Sequence, residues 1–268
     1  MPLSAAKPLR LGETTVHVFP DARVASHAAA LLIARTIRSA VDLRGKAVLG
    51  LSTGSTPITV YESLVKLTKA KELSFADVTT YNLDEYYPIA PTAQQSYRKF
   101  MAQHLFDAVD LAPNRTHVLD GTVPEAFTAD HATTYDRWIK ADGGLDLQLL
   151  GVGRNGHIGF NEPSEVGVER ALELPTRLAE LHPMTIADAA RDFGGCAELV
   201  PRRALTMGIA PILAARSILV LAFGAGKAGP VAQALTGPVT SQLPASLLQT
   251  ISAKVIWILD EASAAALI

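Results

Sequence analysis

Short runs of consecutive apolar residues recur along this sequence and narrow the class of fold that it can adopt. Val48–Leu51 and Leu147–Leu150 are apolar at almost every position, whereas a half-exposed strand would alternate apolar and polar residues. Such strands belong to a sheet that is covered on both faces. Similar runs predict strands at residues 15–19, 47–51, 78–83, 117–119, 146–151, 218–223 and 255–259.

Segments with helical spacing separate these strands. Val24, Ala28, Leu31 and Leu32 recur at three- and four-residue intervals, and comparable patterns predict helices at residues 22–40, 57–68, 96–108, 125–140 and 202–214. Strands that alternate with helices build parallel βαβ units. The sequence therefore predicts a three-layer α/β fold: a doubly wound, mostly parallel sheet with helices on both faces, in a modified Rossmann-like arrangement. Because no linker, repeat or charge block divides the chain, we expect residues 1–268 to form a single domain.

The charge balance of the chain argues against several classes of partner. It carries 24 Lys and Arg residues against 26 Asp and Glu residues, which gives no strong attraction to nucleic acid or to an anionic membrane. The most apolar stretch, Ser217–Ala225, is about half as long as a membrane span requires, and no signal-peptide pattern opens the sequence. A single Cys196 excludes an intramolecular disulfide and fits a reducing compartment. We therefore expect a cytoplasmic protein.

The residues that follow the predicted strands are the candidates for chemistry, because ligands of open α/β sheets bind beyond the carboxyl ends of the strands. Thr53, Gly54, Ser55 and Thr56 follow the strand at 47–51. We expect Ser55 or Thr56 to cap the next helix, with Pro57 at its first position. Backbone N–H groups and hydroxyls at a helix N-terminus make an anion site, most naturally for phosphate. A capped helix without a ligand is the alternative.

Two adjacent carboxylates, Asp84 and Glu85, follow the strand at 78–83. Burial at the end of a strand raises the pKa of a carboxyl group, which suits a general base. Asp84 is the better catalytic candidate. In the alternative interpretation, one carboxylate caps the following turn and the other is solvated.

The strand at 146–151 leads into a glycine-rich segment, residues 151–163, which we call the histidine loop. Its glycines satisfy the G-x-G-x-x-G dinucleotide pattern, but that motif must open a long helix. Gly159 and Pro163 would interrupt a helix here. His157 and Glu162 instead indicate a catalytic loop, in which an imidazole moves protons and a carboxylate orients it. A structural histidine is the alternative.

Two cations complete the candidate site. Lys227 lies between glycines directly after the strand at 218–223, where a flexible ammonium group suits phosphate binding. No Walker A motif is present. Arg191 is a weaker candidate, because an ion pair with Asp188 or Asp192 at the surface would also explain it.

Taken in chain order, several segments resemble the glucosamine-6-phosphate deaminase family. They are residues 49–57, 82–86, 151–163, 204–208 and 224–228. The similarity runs from about residue 15 to residue 260 in the family's order and spacing, so the combination is far more specific than any single motif. The wider superfamily includes 6-phosphogluconolactonases, which carry a different sequence after the histidine. Ile158–Pro163 favours the deaminase branch.

The resemblance implies an enzyme that opens an amino sugar 6-phosphate, isomerises it and releases ammonia to leave fructose 6-phosphate. By position, Asp84 is expected to move a proton between C2 and C1, His157 to act as acid and base at the ring oxygen, and Glu162 to orient and charge it. The residues implied to hold the phosphate are Thr53, Gly54, Ser55, Thr56, Arg191 and Lys227. The implied reaction requires no metal and no organic cofactor.

Two departures from the best-known members of the family affect these expectations. Asn155 stands where those members carry an aspartate; an amide can accept a hydrogen bond from His157 but cannot stabilise an imidazolium by charge, so we expect an orienting role. Ala179 replaces a lysine of the allosteric members, and the chain ends soon after the strand at 255–259. We therefore expect no activation by an N-acetylated sugar phosphate, and a monomer or a small homo-oligomer.

Three functions remain as alternatives at this point. The first is an amino sugar 6-phosphate deaminase, for glucosamine by preference or for galactosamine, since the C4 epimer changes no catalytic group. The second is a 6-phosphogluconolactonase. The third is a non-catalytic sugar-phosphate sensor, which the retention of Asp84, His157 and Glu162 together disfavours.

Overall fold

The computed structural model describes residues 7–267, whose strands form two sheets. The strands are β1 (Lys7–Leu11), β2 (Thr14–Phe19), β3 (Ala47–Leu51), β4 (Val78–Asn82), β5 (Asp84–Tyr87), β6 (Thr116–His117), β7 (Leu147–Gly151), β8 (Arg177–Glu180), β9 (Arg203–Thr206), β10 (Ile218–Ala222) and β11 (Val255–Asp260). The large sheet has the order β1-β2-β11-β10-β7-β3-β4-β6. All of its neighbouring strands are parallel except β1 and β2.

Helices cover both faces of the large sheet. The α-helices of the described residues are α1 (Ala22–Arg44), α2 (Ile58–Lys69), α3 (Tyr97–His104), α4 (Thr128–Ala141), α5 (Val168–Leu172), α6 (Pro183–Ala189), α7 (Ile209–Leu213), α8 (Ala228–Thr236) and α9 (Glu261–Ala264), of which α6 packs with the small sheet described below. β3 shows the consequence for the core: Val48 packs in one apolar cluster, while Leu49 and Leu51 pack with α1 and α2 in another. The predicted three-layer, doubly wound fold is confirmed, and the continuous apolar strands are explained by burial on both faces.

A small antiparallel sheet, in the order β5-β9-β8, lies beside the large one. The predicted helix at residues 202–214 is wrong here, because the segment forms β9 and then the short helix α7. Ala204 and Leu205 are buried between β5 and β8, which hydrogen-bond to β9 from both sides. Gly208 separates the two elements, and a Cβ atom at this position would collide with the backbone carbonyl of Leu174. Apolar spacing alone did not distinguish this strand and helix from one longer helix.

Leu83 joins the two sheets at the point where the chain leaves β4. Its backbone N–H donates to the carbonyl of Leu51 at 2.9 Å, and its own carbonyl accepts from the N–H of Met207 at 2.6 Å. Asp84 is therefore the first residue of the small sheet, at its junction with the carboxyl ends of β3 and β4. Within residues 7–267, no helix combines the length and the apolar character that crossing a membrane would require.

Candidate active site

A cavity of about 220 Å³ opens at the carboxyl ends of the parallel strands, beside this junction. The structure brings most of the predicted site residues together in its wall: Thr53, Gly54, Ser55, Thr56, Asp84, His157, Arg191 and Lys227. Glu162 and Asn155 lie behind His157, outside the lining of the cavity. Segments that are far apart in the sequence therefore contribute to one concave site, as expected for this class of sheet.

The turn after β3, residues 52–57, forms one end of the cavity. The predicted cap is wrong: Pro57 is the N-cap residue of α2, and no side chain caps the helix. Among the described residues, the hydroxyls of Ser55 and Thr56 make no hydrogen bond, although both residues line the cavity. Gly54 has a φ of +99°, a conformation that favours glycine. The first turn of α2 and the hydroxyls thus remain available to an anion.

Asp84 projects into this cavity from the start of β5. The residue is only 6% exposed, and its carboxylate makes no hydrogen bond to any of residues 7–267. Burial raises the pKa of Asp84 to about 8, and the neighbouring Glu85 carboxylate adds to the rise. A buried carboxylate without a partner binds a proton strongly, which is the property that a general base for a weakly acidic C–H group needs.

Glu85 lies on the opposite face of β5 and binds the N-terminus of α3. Its carboxylate accepts hydrogen bonds from the Ser96 hydroxyl at 2.6 Å and from the backbone N–H groups of Tyr97 at 2.9 Å and Arg98 at 3.1 Å. A third N–H, that of Tyr86, donates at 3.0 Å. One carboxylate of the pair therefore caps the next element, as the alternative interpretation expected, while the other is buried in the cavity wall and not solvated.

His157 lines the cavity and forms a pair with Glu162, which lies outside the lining. Nδ1 of His157 lies 3.3 Å from Oε2 of Glu162 and 3.2 Å from the hydroxyl of Thr185. Burial alone would raise the pKa of Glu162, but hydrogen bonds from His157, Thr185 and Asn155 lower it to about 2. Glu162 is therefore ionised, and it can orient the imidazole and stabilise a proton on Nδ1.

The side chain of Asn155 makes its hydrogen bond to Glu162 and not to the imidazole ring of His157. Its side-chain amide donates to Oε2 of Glu162 at 2.8 Å, and its carbonyl oxygen accepts from the backbone N–H of His157 at 3.2 Å. The hydrogen bond that we expected from the His157 ring to Asn155 is absent from the described part of the chain. Because both bonds fix the histidine loop, Asn155 orients the carboxylate partner and the loop backbone.

The two predicted phosphate ligands differ in their surroundings. Arg191 is 69% exposed at its side chain, and its Nε donates to Asp192 at 3.1 Å, which is one of the surface pairs that the sequence suggested. Lys227 is half-buried, and burial lowers its pKa. Both residues line the cavity, and Arg191 also lines a neighbouring cavity with Gly54 and Ser55.

Several lining residues have no site role in the sequence analysis, and three of them carry polar side chains on helices. Tyr97 is the first residue of α3, and Thr185 and Asp188 lie on α6. None of them follows a strand of the large sheet, so the rule that located the other residues gave no signal for them. Their position depends on how α3 and α6 pack. Only one such contact could have been suggested by a capping pattern, namely the hydrogen bond that the N–H of Tyr97 donates to Glu85 at the start of α3.

Comparison with known proteins agrees with this arrangement. Residues 20–257 match the sequence profile of the family described as glucosamine-6-phosphate isomerases/6-phosphogluconolactonase. A glucosamine-6-phosphate deaminase of Halothermothrix orenii is 43% identical over 91% of this chain and 96% of its own length. One from Rhodopirellula baltica is 45% identical over 94% of this chain and 95% of its own length.

Solved structures give the same result. A monomeric glucosamine-6-phosphate deaminase superposes with a TM-score of 0.86 at 34% identity, over 94% of this chain and 99% of its own. A 6-phosphogluconolactonase of Thermotoga maritima reaches a TM-score of 0.70 at 18% identity, over 91% of this chain and 98% of its own, and so shares the fold. With the profile match and the close relatives, this chain belongs to the family of glucosamine-6-phosphate isomerases and 6-phosphogluconolactonases.

Proposed function

We propose that this chain is a glucosamine-6-phosphate deaminase, which converts glucosamine 6-phosphate and water into fructose 6-phosphate and ammonia. The observation that carries the proposal is the position of Asp84. A buried carboxylate without a hydrogen-bond partner among residues 7–267 faces the same cavity as the His157–Glu162 pair. Relatives that carry this name align over more than nine-tenths of the chain, which supports the same activity.

In the proposed first step, His157 opens the sugar ring. Its Nδ1 is engaged with Glu162 and Thr185, which leaves Nε2 as the nitrogen available to the substrate. Nε2 accepts the proton of the C1 hydroxyl and returns it to the ring oxygen, so that the ring C–O bond breaks and an aldehyde forms at C1. The ionised Glu162 stabilises the imidazolium that exists between the two transfers.

In the second step, Asp84 isomerises the open chain. Its carboxylate removes the proton at C2, the electron pair of the C2–H bond forms a C1–C2 double bond, and the π pair of the C1 carbonyl moves to its oxygen, which takes a proton from the ammonium group of the substrate. In the resulting enolamine the nitrogen lone pair forms a C2–N double bond, while the electron pair of the C1–C2 double bond takes up the proton from Asp84 at C1. The C2–N bond is then an imine, which water hydrolyses to the ketone with loss of ammonia. Burial favours this role, because it makes the ionised Asp84 a stronger base than an exposed aspartate.

The phosphate is proposed to bind at the turn 53–56 with Arg191 and Lys227, which line the same cavity. The helix N-terminus, two uncapped hydroxyls and two cations supply complementary charge and hydrogen-bond donors. Anchoring the phosphate holds a flexible open chain with C2 close to Asp84 and raises the effective concentration of the reacting groups.

Ammonia release tests the proposal directly. The purified protein is incubated with glucosamine 6-phosphate, galactosamine 6-phosphate or 6-phosphogluconolactone, and ammonia and free acid are measured. We expect ammonia from glucosamine 6-phosphate and none after Asp84→Asn. Acid from the lactone without ammonia from either amino sugar would indicate a lactonase and refute the proposal.

The assembly and location of the enzyme are also proposals. We infer a monomer or a small homo-oligomer built from one isomerase/deaminase domain, which the likeness to a monomeric deaminase supports. A cytoplasmic location fits the single cysteine, Cys196. Sedimentation analysis of the purified protein checks the assembly.

A further inference from the structure

One residue in the wall of the cavity carries a negative charge, the same sign as the phosphate that the cavity is proposed to bind. Asp188, on α6, lines the same space as Lys227 and Arg191. A carboxylate at this position repels a phosphate dianion and attracts the lysine that should bind it. The site therefore needs a way to neutralise Asp188.

Arg154 of the histidine loop supplies this neutralisation. Its Nε donates to Oδ2 of Asp188 at 2.8 Å, and a second guanidinium nitrogen bonds to Oδ1. The bidentate pair occupies both carboxylate oxygens in a fixed geometry, which a single hydrogen bond would not do. Arg154 itself does not line the cavity, so it binds the Asp188 carboxylate from outside the lining.

The ammonium group of Lys227 has no ion-pair partner among the described residues. No carboxylate among residues 7–267 lies within ion-pair distance of its ammonium group. Burial lowers the pKa of Lys227, and the nearby charges that act on it are Asp188 and Arg154. A half-buried ammonium group without a partner is stabilised when an anion binds to it. If Asp188 were released from Arg154, it would be the carboxylate available to Lys227.

We propose that Arg154 is a positioning residue for phosphate binding: by holding both oxygens of Asp188, it keeps Lys227 free for the phosphate of the substrate. Sequence spacing does not indicate this role, because Arg154 and Asp188 are 34 positions apart and meet only in the fold. The inference rests on the proposed function in one respect, that the physiological anion is a sugar phosphate. Its physical content concerns the binding of any phosphate in this cavity.

A set of four proteins tests the inference with inorganic phosphate as the probe: the parent, Arg154→Gln, Asp188→Asn and the double variant. The dissociation constant of each is measured by titration calorimetry, and Lys227→Gln serves as the control that the heat reports this cavity. We expect Arg154→Gln to weaken phosphate binding roughly three- to tenfold, as suits a partly exposed charge. Asp188→Asn should bind as tightly as the parent or tighter, and the double variant should match Asp188→Asn.

The pattern separates this role from a simple tether between α6 and the histidine loop. Either single substitution breaks the ion pair, so a tether predicts equal weakening in Arg154→Gln and Asp188→Asn, and no recovery in the double variant. That result would overturn the inference, as would unchanged binding in Arg154→Gln or no binding by the folded parent. Thermal unfolding of each variant shows that it is folded. If the expected pattern appears but no amino sugar 6-phosphate releases ammonia, only the proposed function fails.

Discussion

At the scale of single residues, the burial of Asp84 has consequences for both activity and stability. Its pKa of about 8 means that the basic form is a minority at neutral pH. We therefore expect kcat/KM for glucosamine 6-phosphate to rise with pH and level off above about 8. Asp84→Asn should lower kcat by roughly 10²- to 10⁴-fold, the usual contribution of a general base. A pH–rate profile that is flat from pH 6 to 9 would contradict the assignment.

The stability of the protein should change with pH in the opposite sense. Asp84 binds its proton more tightly in the folded state than in the unfolded state, where its pKa is 3.8. The contribution of this residue to the free energy of unfolding is therefore full below about pH 4 and lost as pH rises to about 8. Asp84→Asn removes the cost of burying an ionised carboxylate. The variant should therefore be more stable than the parent at pH 8.5. Denaturant unfolding at pH 5.5 and 8.5 measures the difference.

Burial is the main cause of the raised pKa of Asp84, and the charge of Glu85 should add to it. The Glu85 carboxylate contributes to the raised pKa of Asp84 while it binds the N-terminus of α3. Tyr61, Tyr97 and Tyr135 lie near Asp84 on α2, α3 and α4. The cavity is also lined by His157, Arg191 and Lys227. With those groups unchanged, Glu85→Gln should move the rise in kcat/KM to lower pH.

A matched control separates the charge of Glu85 from its capping role. Ser96→Ala removes one hydrogen bond to this carboxylate and the N-cap bond that the Ser96 hydroxyl accepts from the N–H of Lys99, but leaves the charge of Glu85 in place. We expect it to cost about 1.5–3 kcal/mol of stability, as for a hydrogen bond to a charged group, without the shift of the pH profile. If both variants moved the profile equally, the effect would come from distortion of β5 and not from charge.

At the scale of elements, the histidine loop depends on a close approach between Gly153 and the imidazole ring of His157. The N–H of Gly153 donates to the carbonyl of His157 at 2.9 Å, and a Cβ atom on Gly153 would overlap the imidazole ring. Gly153→Ala should therefore displace the ring and reduce kcat roughly 10²-fold, the scale of a misplacement of about 1 Å. Gly229→Ala in α8, where a Cβ meets nothing within 4 Å, is the control. Equal activity of the two variants would show that the loop adapts.

The elements also show which parts of the site the sequence could predict. The turn 52–57, Asp84 and Lys227 were located because each follows a buried strand, and strands of a doubly wound sheet end at a common edge. The capping of α2 was not predictable in the same way, because a hydroxyl beside a helix N-terminus can bind either the helix or a ligand. Thr185 reaches His157 only through the packing of α6 on the histidine loop, a contact between residues 28 positions apart.

At the scale of the whole molecule, the histidine loop connects the two sheets beside the cavity. The N–H of Phe160 donates to the hydroxyl of Thr206 at 3.0 Å, which binds the histidine loop to β9. The side-chain amide of Asn161 donates to the carbonyl of Met207 at 2.9 Å, and its oxygen accepts from Arg177 of β8 at 2.8 Å. The loop that follows β7 of the large sheet is thus fixed by the small sheet. We therefore propose that the two sheets unfold together as one domain.

Thermal unfolding with and without phosphate tests this coupling. A ligand held at a hundredfold excess over its dissociation constant stabilises the folded state by about 2.7 kcal/mol, which for a chain of this size raises Tm by about 5 °C. Because the proposed phosphate site combines residues attached to the large sheet with Arg191, which follows α6, we expect a single transition that moves as a whole. Calorimetric and van't Hoff enthalpies should agree with and without phosphate. Two transitions, only one of which moves with phosphate, would instead show that the small sheet is a separate folding unit and that the cavity lies between two domains.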